Sequence, residues 1–281
     1  MVPAYPHRVS VIISTYNAPH WLENSLEGFD CQESGEFEIV IADDGSTAET
    51  RDVITRFAER SRIPVKHCWH EDDGFRKTII LNRAIEAAEG DYLIFTDGDC
   101  IPRKDFVSTH ASGAGAGGFL SGGVEYLSKE ASEGISAAMI REQQLFDPAW
   151  LAGRRERKRR FGKVNQNRVV QQMLRRFNPT AATFNGHNAS AWKRDILAVN
   201  GFDERMAYGG LDRELGERLE HNGVRGRSVR YDAILVHQWH ERPYATKASW
   251  GSNNRIRKVG KSQGARWTEW GIVSGQSDTQ S

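Results

Sequence analysis

Four short apolar runs in the first hundred residues, separated by three stretches of helical periodicity, constrain the fold of this chain more than any other feature. Residues 8–15 (RVSVIIST) are almost continuously apolar or β-branched, as in a strand covered on both faces, and Pro19 suits the first turn of a helix reaching about Gly28. Residues 37–42 (FEIVIA) repeat the strand signal. In the DDGSTAET that follows, Ser46 with Glu49 three residues on reads as a capping box for a helix carrying Val53, Ile54, Phe57 and Ala58. Residues 63–69 predict a third strand. Residues 77–88 predict a helix with Ile80, Leu81, Ala84, Ile85 and Ala88 on one side, closing at Gly90, and residues 92–96 a fourth strand. This alternation predicts an α/β fold with a mostly parallel, doubly wound sheet, in which ligands bind beyond the carboxyl ends of the strands. The polar clusters STYN (14–17), DDGS (43–46) and DGD (97–99) all fall at such ends and are expected to share one crevice.

The second half is less regular. A Gly-rich connector (112–123) leads into a helical, increasingly basic segment at about 132–180, and residues 154–176 hold ten Lys or Arg against one acid, Glu156. Strand and turn are expected over 180–192, a short helix over 193–199 stopped by Gly201, a helix over 212–222 ended by Gly223, and a last strand over 233–237. From Ser249 onward the chain is rich in Gly, Ser and charge and reads as a tail, mobile at least after Ile272. The expected organisation is 1–123, 124–248 with the basic insert, and a tail at 249–281.

The 38 basic and 37 acidic residues leave a net charge of +1, so bulk charge demands no nucleic-acid partner. Three scattered cysteines, Cys31, Cys68 and Cys100, form no disulfide framework and fit a reducing compartment. The N-terminus lacks an apolar signal region, and no run of about 18 apolar residues occurs, so the expectation is a cytoplasmic, non-spanning protein.

The fourth strand ends in two acids one glycine apart, YLIFTDGDCIP (92–102). On an extended chain residues i and i+2 point the same way, so Asp97 and Asp99 are expected on one side, with Gly98 leaving room for a close ligand. Two like charges about 4 Å apart repel by roughly 4 kcal/mol at an effective dielectric near 20, which a hard divalent cation reverses. Mg²⁺ or Mn²⁺, completed by water and substrate phosphates, is the economical answer; a merely hydrophilic turn is the alternative.

RVSVIISTYNAPHWLENSLEGF, EIVIADDGSTAET and GDYLIFTDGDCIP, in this order, resemble the N-terminal half of family 2 glycosyltransferases of the GT-A fold. Residues 186–223, which contain GHNASAW and AYGGLDRE, are similar to the C-terminal part shared by galactosyltransferase and chondroitin-polymerase-type enzymes, where a Trp-Gly-Gly-Glu-Asp motif sits at the acceptor. The two blocks cover most of the chain outside 124–180 and the tail. The resemblance implies a GT-A type sheet with a nucleotide-sugar-binding half (1–123) and an acceptor-side α+β half (124–248). It implies an inverting, metal-dependent transfer from a nucleoside diphosphate sugar, UDP-linked, to a hydroxyl of a glycan or glycolipid acceptor in cell-surface polysaccharide or lipopolysaccharide synthesis.

By the same resemblance Asp97 and Asp99 hold the ion on the donor diphosphate, Asp99 more directly. Ser14, Tyr16, Asn17, Asp43, Asp44, Asn82 and Gly98 belong to the donor site. Arg76 and Lys77 offer a cation near the diphosphate, Leu81 standing where many members have Arg. Gly186, Asn188 and Ala189 match a Gly-x-Asn segment beneath the donor sugar, while Trp192 and Phe202 read as core. The aligned general base is Asp212, with Glu214 in reserve and a plain helix N-cap as the alternative role. Gly209 and Gly210 bring backbone close to the sugar, and Tyr208 and Leu211 depart from the motif's Trp and Glu. His237 ends a strand where family members place a further metal ligand. Residues i and i+3 of an extended chain face opposite ways, so only one of His237 and His240 is expected at the ion, His237 by preference.

The basic segment 154–176 leaves a membrane surface, an anionic acceptor or a solvated loop open, as its apolar positions are only partly periodic. A nucleic-acid-binding module would rest on this segment alone and lacks interleaved aromatic residues, so no nucleic-acid partner is expected. A metal-dependent phosphohydrolase would need a nucleophilic Asp at the first strand, which ends instead in STYN.

Overall fold

Strands form where the apolar runs predict them: β1 (Val9–Thr15), β2 (Phe37–Asp43), β3 (Val65–Trp69) and β4 (Tyr92–Asp97). Helices α1 (Pro19–Asp30), α2 (Ala48–Arg60) and α3 (Lys77–Ala87) connect them, and β3-β2-β1-β4 pair in parallel. The computed structural model describes residues 8–33, 36–156, 163–164, 168–177, 180–241 and 247–273. Every residue of β1 and β2 is buried, which is why these strands read as unbroken apolar runs rather than alternating ones.

After β4 the chain crosses between sheets. Gly98 and Asp99 turn, and β5 (Cys100–Pro102) pairs antiparallel with β10 (Ile234–His237), itself parallel to β7 (Gly123–Tyr126). Helix α4 (Phe106–Gly113) follows β5, and β6 (Gly118–Ser121), β8 (Asn188–Trp192) and β9 (Arg225–Ser228) extend the large sheet to the order β3-β2-β1-β4-β8-β6-β9. Strand β8 runs antiparallel to both β4 and β6, so the second half of the chain is built onto the first as one sheet. Leu22, Phe29, Phe57 and Phe106 fill one face. Ile80, Phe95, Phe202 and Leu215 fill the other, under α3, α9 (Lys193–Ala198) and α10 (Leu211–His221). The small sheet packs through Ile101 and Val236 on the short helices α5 (Lys129–Glu133), α6 (Ala137–Arg141) and α7 (Pro148–Leu151).

The structure corrects the local reading in three places. Ser46 is not a cap: Thr47 occupies the N-cap position of α2, its hydroxyl donating to the Glu49 carboxylate at 2.5 Å rather than accepting from a helix amide, while the Ser46 hydroxyl accepts from the Asn17 amide at 2.8 Å. The basic segment is broken into α5, α6 and α7, with α8 (Arg168–Arg176) beyond; residues 157–162 and 165–167 lie outside those described. The chain from Ser249 is not a tail. Helix α11 (Lys247–Gln263) packs on α10, with Asn253 fully buried and Arg257 paired to Glu217 at 2.6 Å. Trp250, Asn253 and Arg257 recur at helical spacing, a periodicity that the Gly- and Ser-rich composition conceals. Residues 274–281 fall outside the described chain. Among the described residues no helix is long and apolar enough to cross a membrane.

Candidate active site

A cavity of about 1060 Å³ opens at the carboxyl ends of β1, β2 and β4, and residues from both halves of the chain line it. At one end three loops are tied together. Asn17 takes a left-handed φ of 45°, and its side-chain oxygen accepts from the Thr47 amide at 2.9 Å, while its own amide donates to Ser46. An Asn tolerates that backbone better than most residues. Tyr16 is 46% exposed, with its hydroxyl donating to Asp72 at 2.9 Å, so its ring faces the cavity rather than the core. Gly45, at φ 94°, passes so near the third loop that a Cβ would lie 2.6 Å from Asp72 Cα. Asp44 is buried and bonds His70 Nε2 at 2.8 Å and the Arg76 amide at 3.1 Å; burial, only partly offset by His70, raises its pKa.

The two acids of DGD face different partners. Asp97 Oδ1 accepts from Ser14 Oγ at 2.6 Å and Lys77 Nζ at 2.7 Å. Burial alone would raise the Asp97 pKa, but Lys77 brings it below the ordinary range; Lys77 is in turn raised, against its own desolvation, by Asp97, Asp99 and Asp212. Asp99 instead meets two imidazoles, His240 Nε2 at 2.9 Å on Oδ2 and His237 Nε2 at 3.5 Å on Oδ1. The three ligand atoms lie within 4.8 Å of one another. The same-side rule fails because Asp97 is the last residue of β4 and Asp99 lies past the turn, beside the end of β10. Gly98 sits tight on β1, its amide donating to the Ser14 carbonyl at 2.8 Å.

Whether this cluster suits a cation follows from its hydrogen bonds. His237 Nδ1 bonds the Gln238 carbonyl at 2.6 Å and His240 Nδ1 bonds the Glu241 carbonyl at 2.8 Å. A carbonyl only accepts, so each Nδ1 carries the hydrogen, and in the neutral rings each Nε2 turns a lone pair toward the Asp99 carboxylate. Two lone pairs and an anion converging need a proton or a metal ion between them. Both histidines reach Asp99 because the strand ends at His237 and residues 238–240 leave the extended path, with the two rings stacked at 5.3 Å. Burial would raise the Asp99 pKa, yet His237 and His240 hold it well below the carboxylate range.

Across the cavity, Asp212 stands in the first turn of α10. Gly210, at φ 77°, occupies the cap position, so the N-cap alternative for Asp212 does not hold. Asp212 Oδ2 accepts from the Gly186 amide and Oδ1 from the Arg213 amide, each at 2.9 Å. His187, next to Gly186, lines the cavity and is lowered in pKa by burial, with Asp97, Asp212 and Asp99 opposing that shift. Leu211 and Gly209 complete this wall.

The sequence model of glycosyl transferase family 2 matches residues 10–169. The chain belongs to this family. Validoxylamine A glucosyltransferase of Streptomyces hygroscopicus subsp. jinggangensis is 29% identical over 255 residues, 86% of this chain and 58% of that protein. Chondroitin synthase of Escherichia coli is 25% identical over 245 residues, 82% of this chain and 34% of that one. The chain thus spans little more than half of one of these relatives and a third of the other. Among solved structures, the mannosyltransferase from Pyrobaculum calidifontis in complex with GDP-Man and Mn²⁺ superposes with a TM-score of 0.58 at 20% identity, covering 92% of this chain and 64% of that one. S. aureus TarS 1-349 in complex with UDP-GlcNAc gives 0.61 at 14% identity over 92% of this chain and 69% of that one. The fold is GT-A.

Within this family 2 chain the structure brings Ser14, Tyr16, Asn17, Asp44, Asp97, Gly98, Asp99, Gly186, Gly209, Gly210, Leu211, Asp212, His237 and His240 to one cavity. Asn82 does not reach it: the side chain is buried and clips Phe202 and Glu204, donating to Phe202 O and Glu204 Oε1, each at 2.9 Å. Asn188 is buried too, donating to Gly123 O at 2.9 Å and Ala233 O at 3.1 Å and bonding His110 at 2.9 Å, so it joins β8 to the connector rather than meeting a sugar. Asp43 lies under the loop, bonded to His67 and the Ser46 amide. The Arg76 guanidinium turns to the Glu71 carbonyl and Asp73, and Lys77 supplies the cation instead. Glu214, the reserve base, is buried in a two-point ion pair with Arg218 at 2.6 and 2.7 Å. Sequence reasoning passed over His67, His70, His187 and Trp250. The first two follow from the rule applied to the other strands, because KHCWH ends β3.

Proposed function

We propose that this chain is an inverting, metal-dependent glycosyltransferase that moves a sugar from a nucleoside diphosphate sugar, UDP-linked, to a hydroxyl of a glycan or glycolipid acceptor in cell-surface polysaccharide or lipopolysaccharide synthesis. The observation that carries the reading is the divided site: Asp99 from the first half of the chain meets His237 and His240 from the second in one cluster, and that cluster and Asp212 line one cavity. Support comes from family membership and from relatives whose names describe sugar transfer.

Asp99, His237 and His240 would hold the ion, whose bound charge offsets that developing on the leaving diphosphate. Two imidazoles beside one carboxylate favour Mn²⁺ over Mg²⁺, which prefers an all-oxygen shell. Lys77, anchored on Asp97, adds fixed positive charge on the same side. Asp212 takes the proton of the acceptor hydroxyl, its carboxylate oriented by the Gly186 and Arg213 amides so that the nucleophile approaches opposite the diphosphate, which gives inversion. Asp44 and Tyr16 offer a buried acceptor and an exposed ring for the base of the nucleotide.

The division into a donor half at 1–123 and an acceptor half at 124–248 belongs to this proposal, with α11 added to the acceptor side. So does a cytoplasmic location with peripheral attachment: Val169, Met173 and Phe177 recur every fourth residue and are 57–70% exposed, in a segment of excess basic charge suited to an anionic bilayer. Thermal shift against a panel of UDP-, GDP- and dTDP-sugars with Mn²⁺ tests the donor reading. A UDP-sugar is expected to raise Tm only with the ion present; stabilisation by none of them, or equally in EDTA, counts against it.

A further inference from the structure

We propose, resting on the glycosyltransferase reading, that Trp250 of α11 is an acceptor-binding residue whose indole face receives the C–H face of a neutral pyranose beside Asp212. Three observations lead there. Trp250 lines the cavity together with Gly209, Gly210, Leu211 and Asp212. A Cβ on Gly209 would lie 2.7 and 2.8 Å from Cδ2 and Cε2 of the indole, the two atoms of the fused bond, and 3.0 Å from Cε3. Near-equal distances to both atoms of that bond put Gly209 over a face of the ring, not at its edge. The residue nevertheless keeps 39% of its surface exposed and lines the cavity, so packing on Gly209 does not bury it.

The placement is held from several sides. Asn253, fully buried, donates from Nδ2 to the carbonyls of Ala207 and Gly209, each at 2.7 Å, fixing α11 to the turn that leads into Asp212. Tyr208 meets the indole edge-on at 6.1 Å and an 89° angle. Arg257 ties the next turn of α11 to Glu217 of α10. Such a ring loses little freedom on binding and offers a wide apolar face, and Leu211, a largely buried residue of the same cavity lining, offers no hydrogen-bonding side chain. Together these suit the C–H face of an uncharged sugar ring.

Saturation-transfer NMR of the full chain with UDP and Mg²⁺, the diamagnetic stand-in for Mn²⁺, tests this, with methyl glycosides of glucose, galactose, mannose and N-acetylglucosamine as probes, in wild type, W250F and W250L. Leucine preserves apolar packing on Gly209 and removes the aromatic face, so a merely structural role would survive in W250L. Transfer to the ring protons of at least one glycoside is expected in wild type and W250F, with a loss of roughly fivefold or more in W250L. UDP signals are expected to be equal in all three. No glycoside signal in wild type, or an undiminished one in W250L, overturns the proposal while leaving the donor reading intact. Absence of UDP signals in wild type overturns the donor reading and the platform with it.

Discussion

At the residue scale, the carboxylates of the cavity differ in what holds them, and that separates chemistry from architecture. Asp212 is bonded only through backbone amides among the contacts described for its carboxylate, whereas Glu214, two residues on, is locked to Arg218 inside the protein. Asp212→Asn is expected to lower kcat by about 10²–10⁴-fold with unchanged thermal stability, measured by nucleotide release and calorimetry. Glu214→Ala is expected to cost about 3–5 kcal/mol in urea unfolding, because it strands a buried guanidinium; a variant of wild-type stability would refute the structural role. A second buried network gives a pH signature. His110 Nε2 donates to Asn188 Oδ1, because the Asn188 amide nitrogen is spent on two carbonyls, and Nδ1 accepts from Ser190. Burial pushes the His110 imidazole down to about 4. The unfolded chain therefore takes up this proton near its ordinary pKa of about 6.5 and the folded chain does not until about 4, so stability falls with pH across that window by up to about 1.4 kcal/mol per unit. His110→Asn is expected to be less stable at neutral pH but to lose stability less steeply between pH 6.5 and 4, and equal slopes in urea titrations would rule this out.

At the scale of elements, strands and their sequels were legible where burial writes itself as an unbroken apolar run, as in β1, β2 and β4. The positions of Ser14, Asp97 and Asp212 at element ends followed from topology. Side-chain direction past a strand end did not. The two-residue turn Gly98–Asp99 sends Asp97 to Lys77 and Asp99 to the histidines, and the chain's exit after His237 lets His240 turn back to the same acid. Asn82 and Asn188 misled because a buried amide bonded to carbonyls has the same letter as one that meets a ligand. Helix α11 was hidden by composition, although its spacing was readable. For α8, replacing Val169, Met173 and Phe177 by Ser is expected to abolish retention on vesicles containing anionic phosphatidylglycerol while leaving nucleotide release unchanged. Retention equal to wild type would remove the bilayer from the account.

At the scale of the whole molecule, the site exists only because the chain changes sheets at Gly98–Asp99 and returns through β10 and α10. The large sheet delivers Ser14, Asp44 and Asp97; β10 of the small sheet and the residues just after it deliver both histidines to Asp99; helices α10 and α11 deliver Asp212 and Trp250. Charge balance binds these parts, since Lys77 responds to acids from both halves. The most direct test is nucleotide release from the preferred UDP-sugar as Mn²⁺ is titrated, in wild type, H237A, H240A and D212N. The expected result is no turnover in EDTA, a higher Mn²⁺ requirement in both histidine variants, and in D212N a fallen kcat at an unchanged Mn²⁺ requirement. Full turnover in EDTA, or wild-type kcat in D212N, would contradict the divided site.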